Sequence, residues 1–121
     1  MERYWQFCCK NSMQFIPLDS AQQLAKIKQS PAPVVIFKHN TTCPISKGVH
    51  RGLEQDGSEL GNTPVYLLDL MAHRDLSDAV AEQFQIPHES PQILVIKNGG
   101  CTYSESMLHI SAAATAEALQ D

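Results

Sequence analysis

The sequence predicts an α/β fold, a central mixed sheet of four strands flanked by helices and preceded by an extra N-terminal segment. Three observations carry that prediction. Val34-Val35-Ile36-Phe37 is short, wholly apolar and mostly β-branched, and Val65-Tyr66-Leu67-Leu68-Asp69-Leu70 reads as a second buried strand. Such runs suit central strands covered on both faces. Between and after them, apolar residues recur at helical spacing. Finally, Asn98-Gly99-Gly100 separates two strand-like runs and reads as a hairpin turn. The 121 residues are enough for one core and too few for two.

The elements follow in order. Residues 1–17 have weak periodicity and read as an arm or an extra edge element, leaving 18–121 as the domain proper. Asp19-Ser20 caps a helix with Leu24 and Ile27 at helical spacing, and Pro31 and Pro33 end it. The strand at 34–37 runs through a polar turn, His39-Asn40-Thr41-Thr42, into a helix that starts near Cys43. Its stripe is Ile45, Val49 and Leu53, and it closes near Asp56-Gly57. The strand at 65–70 precedes a helix marked by Leu76, Val80 and Phe84. Gln92 to Ile96 and Cys101 to about Glu105 form the hairpin, and the alanine-rich stretch from Ser111 to Leu119 favours a closing helix. The βαβ units call for a parallel pair, and the hairpin adds an antiparallel edge. That element order matches the thioredoxin fold.

Composition excludes several classes. Net charge is −4, without a basic block or stripe, which argues against a nucleic-acid partner. No apolar run is long enough to span a bilayer. The N-terminus lacks a continuous apolar segment and a small-residue cleavage site, so the expected location is the cytoplasm. Four cysteines in a reducing compartment are catalytic, metal-bound or buried. Cys8, Cys9, Cys43 and Cys101 lack the paired short spacings of a zinc site, so no metal is expected.

Chemistry concentrates at Thr42-Cys43-Pro44-Ile45-Ser46. Pro44 falls in the first helical turn, where its missing N–H costs nothing. A sulfur at Cys43 then lies near unpaired backbone N–H groups and the positive end of the helix dipole. Both favour thiolate, the nucleophilic form. The plain alternative is a buried structural cysteine, but core cysteines usually sit within apolar runs, and this one follows two threonines. The position resembles the first cysteine of a thioredoxin-type Cys-x-x-Cys motif, with Ser46 in the second place. Serine offers no sulfur for exchange, so the chemistry stops at a mixed disulfide on Cys43 and needs an outside thiol to finish. Ser46 is either an ordinary helix-surface serine or a hydrogen-bond donor to the thiolate. A peroxide-reducing site would have a proline upstream of its threonine that this chain lacks.

Ser90-Pro91 is the second signal. Pro91 opens the run from Gln92 to Ile96, where thioredoxin-like folds place a cis-proline opposite the active cysteine. Ser90, Pro91 and Gln92 are therefore the candidate substrate-binding residues. Lys38 and Lys47 flank the motif as charges that either attract an anionic small thiol or are simply solvated. His39 and His88 lie near the same edge, with a surface role as the default. Cys101 starts its strand at the far pole, about 16 Å away at strand rise, too distant to pair directly with Cys43. The path of Cys8 and Cys9 is left open.

At these residues the chain resembles the monothiol bacilliredoxin family of bacillithiol-system redox proteins. The likeness runs from about Phe15 to Ile110. It includes the stretch from Phe37 to Ser46, Val65 to Leu70, and Ile86-Pro87-His88-Glu89-Ser90-Pro91-Gln92. By resemblance, Cys43 is the nucleophile that removes bacillithiol from mixed disulfides on other proteins, with Pro91 as the substrate-facing cis-proline. Thr42, Pro44, Ser46 and Lys38 are read from their places around the cysteine as its support. The implied partners are thiolated proteins, a small thiol as co-substrate and a reductase, without metal or organic cofactor. Where family members carry a Ser-His pair near the last strand, Ser106 is followed here by Met107. A glutathione-using glutaredoxin-like protein and a non-catalytic binding module are the alternatives. The chain lacks the Cys-Gly-Phe-Ser motif of cluster-carrying glutaredoxins.

Overall fold

Ser20 turns the chain into its first helix through a reciprocal cap: its hydroxyl accepts the Gln23 N–H at 3.3 Å, while Gln23 Oε1 accepts the Ser20 N–H at 3.2 Å. From that point the computed structural model, which describes residues 14–120, follows the expected order. The elements are β1 (Ile16–Pro17), α1 (Ala21–Gln29), β2 (Val34–His39), α2 (Pro44–Gln55), β3 (Val65–Asp69), α3 (Arg74–Phe84), β4 (Gln92–Lys97), β5 (Gly100–Ser106) and α4 (Ala112–Gln120). Short 3₁₀ turns lie at Gly57–Leu60 and Met107–His109. Cys8 and Cys9 fall outside the described residues.

The sheet has five strands, in the order β1-β3-β2-β4-β5, one more than the four expected. The addition is Ile16–Pro17, which pairs parallel with Tyr66 and Leu67 of β3. Two residues are too few for periodicity to announce a strand, and a proline is tolerated at a sheet edge, where its missing donor is not needed. β2 and β3 are parallel, with Val35 opposite Val65 and His39 opposite Asp69. β4 runs antiparallel to β2, placing Val34 opposite Ile96 and Lys38 opposite Gln92.

Side chains alternate across β2 and so feed two cores. Val34 and Ile36 pack with Leu24 and Ile27 of α1 and with Leu76, Val80 and Phe84 of α3. Val35 and Phe37 face the other way, against Val49 and Leu53 of α2, Leu60, and Ala112 at the start of α4. All six residues of β2 are buried. The hairpin turn uses left-handed backbone at Asn98 (φ 52°) and Gly99 (φ 81°), as a two-residue primed turn requires. Gly99 also lies close against α1, where an added Cβ would stand 2.8 Å from the Lys28 carbonyl. Among the described residues, no helix is long and apolar enough to cross a membrane.

Candidate active site

One pole of the sheet gathers the predicted site. The C-terminal ends of β2 and β3, the start of β4 and the end of β5 all lie there, as their register requires. Cys43 is the N-cap of α2, with extended backbone (φ −100°, ψ 122°) and Pro44 in the first turn. It is half-buried and not in a disulfide. The loop before it is closed by side chains and backbone together. Asn40 Oδ1 accepts from the Thr42 N–H at 3.0 Å and the Thr42 hydroxyl at 2.7 Å. The Cys43 N–H donates to the Asn40 carbonyl at 3.1 Å, and the Cys43 carbonyl accepts the Lys47 N–H at 3.0 Å. Exposed Thr42 thus supports the turn that presents the cysteine.

Ser46 departs from the plain surface reading, for it is fully buried. Its Oγ accepts the Asn40 N–H at 2.9 Å and lies 2.7 Å from His39 Nδ1. The inward stripe of α2 is therefore Ser46, Val49 and Leu53, while Ile45, read as part of it, is 43% exposed. The signal was available: Ser46, Val49 and Leu53 are themselves spaced i, i+3, i+7.

His39 also departs from the surface default. It sits at the end of buried β2, 6% exposed, on the Val35 and Phe37 side. Its ring stacks on His50 of α2 with centroids 4.7 Å apart, and on Phe37 at 5.7 Å. Phe15 extends the ladder against His50 at 4.9 Å. Burial first, then the facing charges of His50 and Lys47, hold the His39 imidazolium below its usual range, against an opposing pull from Asp69.

Lys38 does not stand as a solvated charge beside the motif. It is fully buried and faces the α3 layer. Nζ donates to the Ser77 carbonyl at 3.4 Å and lies 3.3 Å from His88 Nδ1, which is itself 3.2 Å from Ser77 Oγ. Burial pushes the lysine down to about 8, partly offset by Asp78. His88 is exposed as a residue, yet its Nδ1 edge turns inward. Desolvation, then the Lys38 charge, lower its proton affinity. Lys47, by contrast, is exposed.

The Ser90–Pro91 peptide bond is cis. Pro91 is buried, its carbonyl accepts the Met107 N–H at 3.0 Å, and the register puts it beside the end of β2. Gln92 braces the loop before it: Nε2 donates to the Pro87 carbonyl at 3.0 Å and Oε1 accepts the Glu89 N–H at 3.4 Å. The Ser90 hydroxyl is buried and has no hydrogen-bond partner among the described residues. Cys101 lies at the opposite pole, opposite Ile96, which pairs with Val34 at the start of β2. Its thiol donates to the Tyr103 carbonyl at 3.3 Å, and burial pushes its proton affinity up.

This fold, with its single cysteine at the helix start, defines a class: a thiol oxidoreductase of the thioredoxin type. A structure described as a candidate oxidoreductase with a thioredoxin fold is 30% identical at a TM-score of 0.77, covering 85% of this chain and 91% of its own. The chain belongs to the monothiol bacilliredoxin BrxC family, whose model matches residues 16–115. More distant thioredoxins share the fold alone. That from Trypanosoma brucei brucei is 14% identical, with a TM-score of 0.69 over 89% of each chain. Oxidised mitochondrial thioredoxin 3 from Saccharomyces cerevisiae is 15% identical, with a TM-score of 0.66 over 88% of this chain and 94% of its own.

Proposed function

We propose that the protein removes a low-molecular-weight thiol, bacillithiol, from mixed disulfides on other proteins through Cys43 alone, in a reducing cytoplasm. The Cys43 thiolate attacks the small-thiol sulfur of the mixed disulfide. The old S–S bond breaks, the substrate protein leaves as a thiolate that takes a proton from water, and the small thiol is left bonded to Cys43. A second small thiolate, or a reductase thiolate, then attacks that bond and restores Cys43. Each step is exchange, with one disulfide broken for one formed.

The observation that carries this reading is the pairing of Cys43 at the N-cap of α2 with a buried serine at the fourth position. The unpaired N–H groups of a helix start favour a thiolate, and the serine removes from the motif itself the sulfur that would resolve the mixed disulfide. Cys101 is at the far pole, and a disulfide requires Cα atoms within about 7 Å. The Ser90–Pro91 segment, at the same pole and just before β4, is the proposed docking edge for a substrate.

The test is to incubate the protein, and Cys43→Ser, with a model protein carrying a bacillithiol mixed disulfide and to follow masses. The expected outcome is transfer of the small thiol to Cys43 with release of the reduced model protein, and none with Cys43→Ser. Transfer from glutathione but not bacillithiol would make the protein glutaredoxin-like in substrate. Movement of neither would reduce Cys43 to a tether.

A further inference from the structure

The buried polar contact behind Cys43 joins three groups with few ways to share protons. Ser46 Oγ has two lone pairs and one proton. One lone pair accepts the Asn40 N–H at 2.9 Å, and His39 Nδ1 stands 2.7 Å away on another side. Ser46 is also the third residue after the N-cap, so it lies one helical turn from Cys43, on the cysteine's side of the helix. Two arrangements satisfy the contacts. If His39 Nδ1 accepts, it takes the only serine proton and turns a lone pair toward the sulfur. If His39 Nδ1–H donates, both serine lone pairs are filled and the hydroxyl proton is left for the thiolate.

We propose that His39 is a positioning residue for the thiol chemistry: its Nδ1–H donates to Ser46 Oγ and so directs the Ser46 hydroxyl proton to the Cys43 thiolate. The inference deepens the assignment of Cys43 as nucleophile and rests on it. The surroundings favour a neutral imidazole with a fixed orientation. The ring stacks with Phe37 and with His50, which also stack with each other, and His50 and Lys47 of α2 oppose an added proton while Asp69 of β3 favours one. A neutral imidazole has one N–H, and the thiolate is stabilised when that hydrogen is on Nδ1. Aligned donors in series strengthen one another in a low-dielectric interior.

The experiment measures the pH dependence of Cys43 alkylation by iodoacetamide, resolved from the other cysteines by peptide mass. It needs no mixed-disulfide substrate, so it remains readable if the proposed reaction fails. His39→Phe keeps the stacked ring and removes the donor, and His39→Asn keeps a donor N–H near the Nδ1 position. Expected are a fall of about threefold or more in thiolate fraction below the alkylation midpoint for His39→Phe, recovery toward the parent value in His39→Asn, and a fall of about tenfold for Ser46→Ala, the scale of one charged hydrogen bond. His39→Phe should add nothing on the Ser46→Ala background. A shift of opposite sign or no shift in His39→Phe, no recovery in His39→Asn, or full additivity with Ser46→Ala would overturn the proposal. Should the buried variants fail to fold, ¹⁵N spectra of histidine-labelled parent protein decide. Nδ1 of His39 protonated while Cys43 is thiolate supports it, and an Nε2–H tautomer under the same conditions refutes it.

Discussion

Lys38 and His39 are neighbours on one strand, both fully or nearly buried and both able to carry a positive charge, yet they serve different layers of the molecule. Strand alternation sends Lys38 toward α3, where Ser77 and His88 receive it. His39 goes toward α2, where Ser46 connects it to the helix that begins at Cys43. Both are pushed by burial toward their neutral forms. The difference is in what each neutral group touches. Lys38 ties β2 to α3 and to the segment leading to cis Pro91, whereas His39 ties β2 to the turn that presents the sulfur. Proximity in sequence to a reactive cysteine therefore says little until the face of the strand is known.

Breaking the Lys38 side should give the largest effect on stability. In the unfolded chain Lys38 holds its proton to about pH 10.5, and in the fold only to about 8. Between those values the unfolded state binds more protons, so folding stability should rise with pH across that window. The burial penalty is present in full below pH 8. Lys38→Met removes the titration while filling the same volume. The parent should gain about 3 kcal/mol relative to the variant between pH 8 and 10.5 in urea unfolding. Parallel curves for the two proteins would show that Lys38 is not held as a buried amine.

A smaller effect is expected where the Lys38 layer meets the site. Gln92→Ala removes both braces on residues 87–89 and leaves the Pro87 carbonyl and Glu89 N–H to find water. The expected loss is about 1–2 kcal/mol in stability, with a higher apparent KM for a mixed-disulfide protein and an unchanged rate of Cys43 alkylation. A slower alkylation rate would mean that the loop reaches the sulfur as well as the substrate.

The smallest effect concerns acid. His39 and His88 both have proton affinities below the ordinary histidine value near 6.5. The unfolded chain takes up protons first as pH falls, so stability should be full above about pH 6.5 and decline below it. His39→Phe should flatten part of that decline, visible as a smaller drop in Tm between pH 7 and 5. An unchanged slope would assign the acid sensitivity to His88 and the carboxylates.

Much of this was legible beforehand. Two largely apolar runs, one of them β-branched, an Asn-Gly-Gly turn and helical spacing indicated the element order, because each signal depends on a residue's local backbone preference and the side it buries. Cys43, Pro44 and the proline at 91 were legible for the same reason: a proline marks where a helix starts or where a strand gives up a donor. Ser46 could have been placed inward by its spacing to Val49 and Leu53, and His39 by counting two from Phe37. Polar residues on an apolar stripe are easily read as surface, since their burial depends on a partner that the local sequence does not display. The two-residue strand at Ile16–Pro17 was below any periodic signal.

The sequence by itself thus determined the fold class, a cysteine at the start of the helix after β2 and the absence of sulfur at the fourth position, all properties of nearby residues and short-range geometry. Only the tertiary structure decided which buried polar groups meet. Lys38 with Ser77 and His88, and Ser46 with Asn40 and His39, are matched across elements whose approach is set by packing two helical layers on a twisted sheet. A buried hydrogen bond is worth little until both partners are brought within about 3 Å. That last step belongs to the packing of the whole core.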